Sequence, residues 1–409
     1  MNILIVTQYF WPEPFIINDL VLKIKAQGHA VSVFTGKPNY PEGRIYPGYS
    51  SCRVQEEIYG DGIDVFRVPL RPRKNGNSLN LALNYLSFVF SGLKHAFGFA
   101  KNKKFDSIIV VGLSPITAAL PAILLKWLTK SHLSIWVQDL WPESLSVTGY
   151  VKNRFILHLV GKLVRWIYKS TDMLLVQSQA FEKPVSEYAN QEKIVYYPNS
   201  YLEVHQEKIG QVRIPESLLA TLEQHFCLVF AGNIGTAQSV ETLVEASEHL
   251  KHLPDCKIIL VGNGSMSAWV EQQIKTKGLE NLILAGRYPS SVMPDIFSRA
   301  AGLLASLKRD EILTYTVPCK IQAYLAASRP IIAALDGEGA RIINLAGAGF
   351  SGPAEDALAL AKNIEKLYHL PVAMRNKLGD SGRAYFLNHF EMERQSLRLI
   401  EILENKINK

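Results

Sequence analysis

The stretch Val317-Pro318-Cys319-Lys320-Ile321-Gln322-Ala323-Tyr324-Leu325-Ala326-Ala327-Ser328-Arg329-Pro330-Ile331-Ile332 reads as a loop, a helix and a buried strand in succession. Pro318 suits a helix start, where its fixed φ fits and its missing N–H is not needed. Lys320 then falls in the first turn, beside unpaired backbone N–H groups. A helix N-terminus and a lysine together make an anion site. Ala323, Ala326 and Ala327 are small and permit close approach. Arg329-Pro330 ends the helix, and Ile331-Ile332-Ala333-Ala334 opens a buried strand.

The same alternation runs outward in both directions. Ile3–Thr7, Ala30–Thr35, Ile63–Val68, Ser107–Val111, Leu133–Val137 and Met173–Gln177 read as strands of a first half. Phe226–Ala231, Lys257–Val261, Leu282–Ala285, Gly302–Ala305 and Ile331–Ala334 read as strands of a second. Helical segments such as Asp19–Gln27 and Val240–Leu250 lie between them. Strands alternating with helices argue for α/β architecture, with parallel sheets covered on both faces. A chain of 409 residues exceeds one ordinary core, so two doubly wound, Rossmann-like domains are expected, with ligand in a cleft at the strand C-termini. The expected division is 1–205, 206–385 and a C-terminal helix over 386–409. In that last segment Phe386, Phe390, Leu397, Ile400 and Leu403 share one apolar face, expected to pack back on the first domain.

Composition narrows the class. The formal net charge of +7 points to an anionic partner. Arginine-rich tracts and zinc-finger spacings are absent, so nucleic acid is disfavoured. Cys52, Cys227, Cys256 and Cys319 are scattered without CxxC spacing, which suggests a reducing compartment and no structural metal. Met1-Asn2-Ile3-Leu4-Ile5-Val6 enters a strand at once and does not read as a signal peptide. Ile108 to Leu125 is uncharged over about a bilayer's width, but Pro115 and Pro121 interrupt it, so a strand and a buried helix are expected.

Five loops carry candidate chemistry. Trp11-Pro12-Glu13-Pro14 follows the first strand without the GxGxxG of a dinucleotide site; it reads as an acceptor-facing loop or a rigid aromatic one. Gln138-Asp139-Leu140-Trp141-Pro142-Glu143 places two carboxylates and an indole at a strand end. Either carboxylate could take a proton or bind a hydroxyl, or cap the next helix. In Gly232-Asn233-Ile234-Gly235-Thr236-Ala237-Gln238 the glycines let a loop run close to a ligand. Gly262-Asn263-Gly264 is a second glycine loop. Arg287, in Gly286-Arg287-Tyr288, could stack on a base or face solvent.

Taken together, these residues resemble the retaining family-4 glycosyltransferases of GT-B fold, whose donor segment commonly reads Pro-Ser-Lys, then Ala-(Gly/Ser)-(Lys/Arg)-Pro. The Gly-Asn-x-Gly-x-x-Gln and Asp-Leu-Trp-Pro-Glu strings are similar to a branch of bacterial polysaccharide enzymes that includes the WbuB-type L-fucosamine transferases. The resemblance implies a donor site of Gly232, Asn233, Gly235, Gln238, Gly262, Asn263, Gly264, Arg287, Tyr315, Thr316, Lys320 and Gln322. It implies catalytic roles for Asp139, Glu143 and Lys320, and acceptor contacts from Trp11, Glu13, Gln138 and Trp141. There are departures: Pro14-Phe15-Ile16 replace a glycine pair, Gln138 replaces a histidine, and Asn233 replaces an arginine. A spaced pair of glutamates that holds donor hydroxyls in relatives falls near Tyr315 and at Ala323, with Asp310, Glu311 and Thr314 nearby. A deoxy or acetamido sugar, such as N-acetyl-L-fucosamine, would need fewer carboxylates.

The implied reaction transfers a sugar from a UDP-sugar to a polyprenyl-diphosphate-linked saccharide in O-antigen or capsule assembly. No cofactor or metal is expected. Lys152 to Lys169 and Tyr85 to Phe105 each mix cations with an apolar stripe, which fits an anionic membrane surface or packing on the first sheet. The expected location is cytoplasmic, peripheral on the inner face of the cytoplasmic membrane. A UDP-sugar 2-epimerase of the same architecture, a soluble sucrose-phosphate-type transferase and a non-catalytic nucleotide-sugar-binding protein are the alternatives.

Overall fold

The computed structural model describes residues 1–147, 153–203 and 214–407. The expected boundary at 205/206, Lys152 and the final two residues lie outside these. The chain forms two compact units, Met1–Asn199 with Met392–Lys409, and Ser200–Glu391.

The first unit holds β1 (Asn2–Thr7), β2 (Ala30–Thr35), β3 (Gln55–Tyr59), β4 (Ile63–Arg67), β5 (Ser107–Gly112), β6 (His132–Val137), β7 (Met173–Val176) and β8 (Ile194–Tyr196). They pair in the order β3-β4-β2-β1-β5-β6-β7-β8. Only β3 runs antiparallel, against β4. The central strands are apolar on both faces, as a sheet covered on both sides demands. Ile3, Ile5, Val33, Ile109 and Trp136 meet Ile17, Leu20 and Ile24 of helix Ile16–Ala26 and Leu399 and Leu403 of helix Met392–Ile407. On the other face Phe34 meets Phe99 of helix Ser78–Ala100. Each such buried side chain contributes roughly 1.5–3 kcal/mol.

The second unit has β9 (Phe226–Ala231), β10 (Cys256–Val261), β11 (Leu282–Gly286), β12 (Gly302–Ser306), β13 (Ile331–Ala334) and β14 (Gly349–Gly352), all parallel, in the order β11-β10-β9-β12-β13-β14. Its core has two layers, one either side of the sheet. Cys227, Val229, Ile259 and Leu303 belong to one, and Leu228, Phe230, Ile258 and Leu260 to the other.

Several expectations shift. Pro318 is the N-cap of helix Cys319–Ala326, one position before the first turn. β3, β8 and β14 were not anticipated. β3 is a polar edge strand, β8 has three residues and β14 has two glycines, so none carries an apolar run. Ile108–Leu125 resolves into β5 and helix Ala119–Thr129. No helix among the described residues is long and apolar enough to cross a membrane. The C-terminal segment divides. Phe386 and Phe390 belong to the core of the second unit, helix Met392–Ile407 packs in the first, and Leu397 is exposed.

Candidate functional site

In the second unit the loops after β9, β10 and β11 meet helix Cys319–Ala326 around a cavity of about 1010 Å³. Gly232 and Gly262 have φ of 143° and 152°, a backbone region that side chains rarely adopt. The Gly232 amide donates to Val261 O at 2.9 Å and the Gly262 amide to Gly286 O at 2.8 Å. A Cβ at Gly262 would overlap the Gly232 carbonyl, and one at Gly264 the Ile234 carbonyl. Glycine is thus required where the two loops cross. Asn263 Oδ1 accepts from the Gly264 amide and from Ser267 Oγ, both at 2.8 Å. Its side chain therefore braces the loop, whereas Asn233 is exposed at the cavity.

Lys320 enters this cavity from the first turn of its helix. Its Nζ lies 2.5 Å from Gln238 Oε1 and 3.8 Å from the Phe230 ring centre. A Cβ on Gly232 would sit 3.5 Å from it. Burial pulls the lysine down to about 7, because desolvation disfavours the ammonium. Among the described residues lining the cavity there is no Asp or Glu; Lys320 and Arg287 supply its cations. Such a cavity favours an anion.

The structure sorts the donor-site expectations. Gly232, Asn233, Gly262, Asn263, Arg287 and Lys320 line the cavity, and Gln238 reaches it through Lys320. Gly235 lies against the Asn233 side chain. Tyr315 and Thr316 are not among its lining residues. The Tyr315 hydroxyl donates to Glu311 Oε1 at 3.0 Å, and Thr316 Oγ1 to Leu313 O. Gln322, expected at the donor, is instead buried at 2% exposure, on the inward side of its helix. Tyr324, Phe297, Tyr288 and Ser290 line the cavity without having been singled out. The Tyr324 hydroxyl accepts from the Ala231 amide at 2.9 Å, and the helical run from Lys320 was the signal that places it.

In the first unit, Gln138 and Asp139 stand just beyond β6. Gln138 Nε2 donates to Asn199 Oδ1 at 2.8 Å, Asn199 Nδ2 to Gln177 Oε1 at 2.8 Å, and Gln177 Nε2 to Gln138 O at 2.6 Å. This ring of amides joins the ends of β6, β7 and β8. Gln177 and Asn199 were not foreseen as a group, since they are distant in sequence. Asp139 Oδ2 accepts from the Ser114 amide at 3.0 Å and Ser114 Oγ at 2.7 Å. Trp141 is buried, its Nε1 donating to the same Oγ at 3.2 Å. Glu143 starts helix Glu143–Val147 and accepts from the Tyr188 hydroxyl at 3.0 Å.

Glu13, read as an acceptor contact, is fully buried. Its carboxylate accepts from the Asn39 and Tyr40 amides, both at 2.7 Å, and the Phe10 amide at 3.1 Å. Burial pushes it up to about 7 against those bonds. It fastens a loop of stacked rings, Tyr9–Phe15 and Phe15–Tyr40, so the aromatic-loop reading fits. Trp11 is exposed beside Tyr59.

Both units are similar to known proteins. Residues 16–200 match the model of the glycosyl transferase 4-like domain, and residues 225–369 that of the glycosyl transferases group 1. The chain is 26% identical to the probable glycosyltransferase WbjE of Pseudomonas aeruginosa over 74% of this chain and 76% of that one. It is 23% identical to the putative colanic acid biosynthesis glycosyl transferase WcaI of Escherichia coli, over 65% of each. The structure of HepE from Anabaena in complex with UDP superposes with a TM-score of 0.67 at 14% identity, covering 99% of this chain and 100% of that one. The chain is a glycosyltransferase of GT-B fold, with a 4-like first unit and a group 1 second unit.

Proposed function

We propose that the chain moves a sugar from a UDP-sugar to a lipid-linked saccharide with retention of anomeric configuration, in assembly of a surface polysaccharide of the O-antigen or capsule kind. The observation that carries the donor reading is the Lys320 ammonium, set beside the Gly232 and Gly262 loops in a cavity with no Asp or Glu among its described lining residues. A diphosphate leaving group gains negative charge as the glycosidic bond breaks. A preplaced ammonium and helix N-terminus stabilise that charge without reorganising. On this reading the cation and backbone amides meet the charge with no metal. Ala323 at the cavity wall presents no carboxylate to sugar hydroxyls, which supports a donor with fewer of them, such as N-acetyl-L-fucosamine. HepE was solved with UDP, and WcaI is named for colanic acid biosynthesis; both fit. Asp139 and Glu143 stay as the candidate groups near the acceptor, at the cytoplasmic membrane's inner face.

The test is a thermal-shift screen of UDP-, GDP- and dTDP-sugars, followed by turnover with a synthetic polyprenyl-diphosphate sugar and NMR of the product anomer. A UDP-sugar selected and transferred with retention supports the reading. Interconversion of the UDP-sugar without acceptor would replace it with an epimerase, and binding without turnover with a non-catalytic protein.

A further inference from the structure

Helices Ser78–Ala100, Ala119–Thr129 and Arg154–Ser170 are neighbours in the first unit, the middle one touching both others. Each is apolar on two sides. Phe88, Ala96, Leu125, Val164 and Ile167 face inward and are buried. Stripes at helical spacing face outward: Phe90 and Phe97 are 67% and 62% exposed, Trp127 61%, Phe155 68%, Leu159 48% and Trp166 45%. Half of the exposed large hydrophobics among the described residues fall on these three helices. Isolated exposed apolar side chains are ordinary, but a concentration on adjoining helices marks a docking face.

The charge these helices carry is of one sign. The three helices contain no Asp or Glu and carry Lys94, Lys126, Arg154, Lys162, Arg165 and Lys169. Lys126 is neutralised by Asp172 at 2.7 Å, while Arg154, Lys162 and Lys169 are exposed. A second copy would set like charges against each other, and nucleic acid would leave the aromatics wet. Aromatic and aliphatic side chains bordered by cations, without acids, match an anionic lipid interface. We infer that this three-helix face docks the chain peripherally on an anionic membrane surface. The rings enter the headgroup boundary and the cations meet the lipid phosphates. Trp127 and the middle helix join two stretches that read separately in sequence. This inference stands whichever sugar is transferred.

The full chain is co-sedimented with phosphatidylcholine vesicles, with and without phosphatidylglycerol, at low and high salt. Binding at least ~10-fold stronger to the anionic vesicles, weakened by salt, is the expected result. The variant Phe90→Ser, Trp127→Ser, Phe155→Ser, Trp166→Ser is expected to lose at least ~10-fold while keeping its UDP thermal shift. The variant Lys162→Glu, Lys169→Glu is expected to lose only the anionic preference, and decides the matter if the first variant fails to fold. Equal binding to both lipids, or unchanged binding in the charge variant, overturns the inference. So does a dimer that falls apart in the variants without any vesicle binding.

Discussion

If the Lys320 ammonium is the diphosphate's cation, donor binding should take up a proton. In the free chain burial beside the Phe230 ring and the Gln238 amide lowers this lysine to about 7. A diphosphate charge about 4 Å away contributes roughly 4 kcal/mol at an effective dielectric near 20, or about 3 pKa units. The lysine then returns to its ordinary range in the complex. A group whose pKa is raised by binding gives affinity that is full below its free value and lost as pH rises through it. Between pH 6.5 and 8.5 the UDP dissociation constant should therefore rise about 25-fold, or about 2 kcal/mol. Isothermal titration in buffers of differing ionisation enthalpy should show about half a proton taken up at pH 7 and about 0.9 at pH 8. Lys320→Met keeps the stem on Phe230 and removes the charge. It should bind about 10–100-fold more weakly at pH 6.5, with a flat pH profile. A wild-type affinity that is flat over this range, or proton uptake persisting in Lys320→Met, would refute the argument.

Further outcomes follow from the same geometry. Gly262→Ala would force a Cβ into the Gly232 carbonyl at a φ of 152°; we expect a loss of about 1–3 kcal/mol in urea unfolding, together with weaker UDP binding. Glu13 is raised by burial to about 7. Its contribution to stability is full below the ordinary carboxylate value near 4.5 and declines as pH climbs through 7. Thermal midpoints measured from pH 5 to 8 should fall, and Glu13→Gln should flatten that slope. Ala323→Glu puts a carboxylate on the cavity wall, so competition assays should shift at least ~10-fold toward fully hydroxylated donors; an unchanged ranking would remove Ala323 from the account of specificity.

What the sequence disclosed follows the range of the interactions. Parallel strands with continuous apolar runs, such as Ile3–Thr7 and Phe226–Ala231, were legible because burial on both faces leaves no polar alternation. β3 and β14 were not, since one is polar at an edge and the other is half glycine. Lys320 and the glycines were legible because a helix start and a tight loop are local events. The amide ring of Gln138, Gln177 and Asn199 was hidden, as sheet order alone brings three distant strand ends together. Glu13 was misplaced for the opposite reason: an acidic residue in a loop reads as a surface ligand group, yet three backbone amides satisfy it in the interior. Gln322 shows the same limit, because helical phase decides which side of the Lys320 helix meets the cavity.

The central claim is that the second unit's cavity holds a nucleoside diphosphate with its phosphates at Lys320. A crystal structure of the full chain with UDP tests it most directly. The account predicts a phosphate oxygen within about 3 Å of Lys320 Nζ, with the Gly232 and Gly262 loops lining the same site. Phosphates placed elsewhere, with Lys320 still bonded only to Gln238, would contradict it.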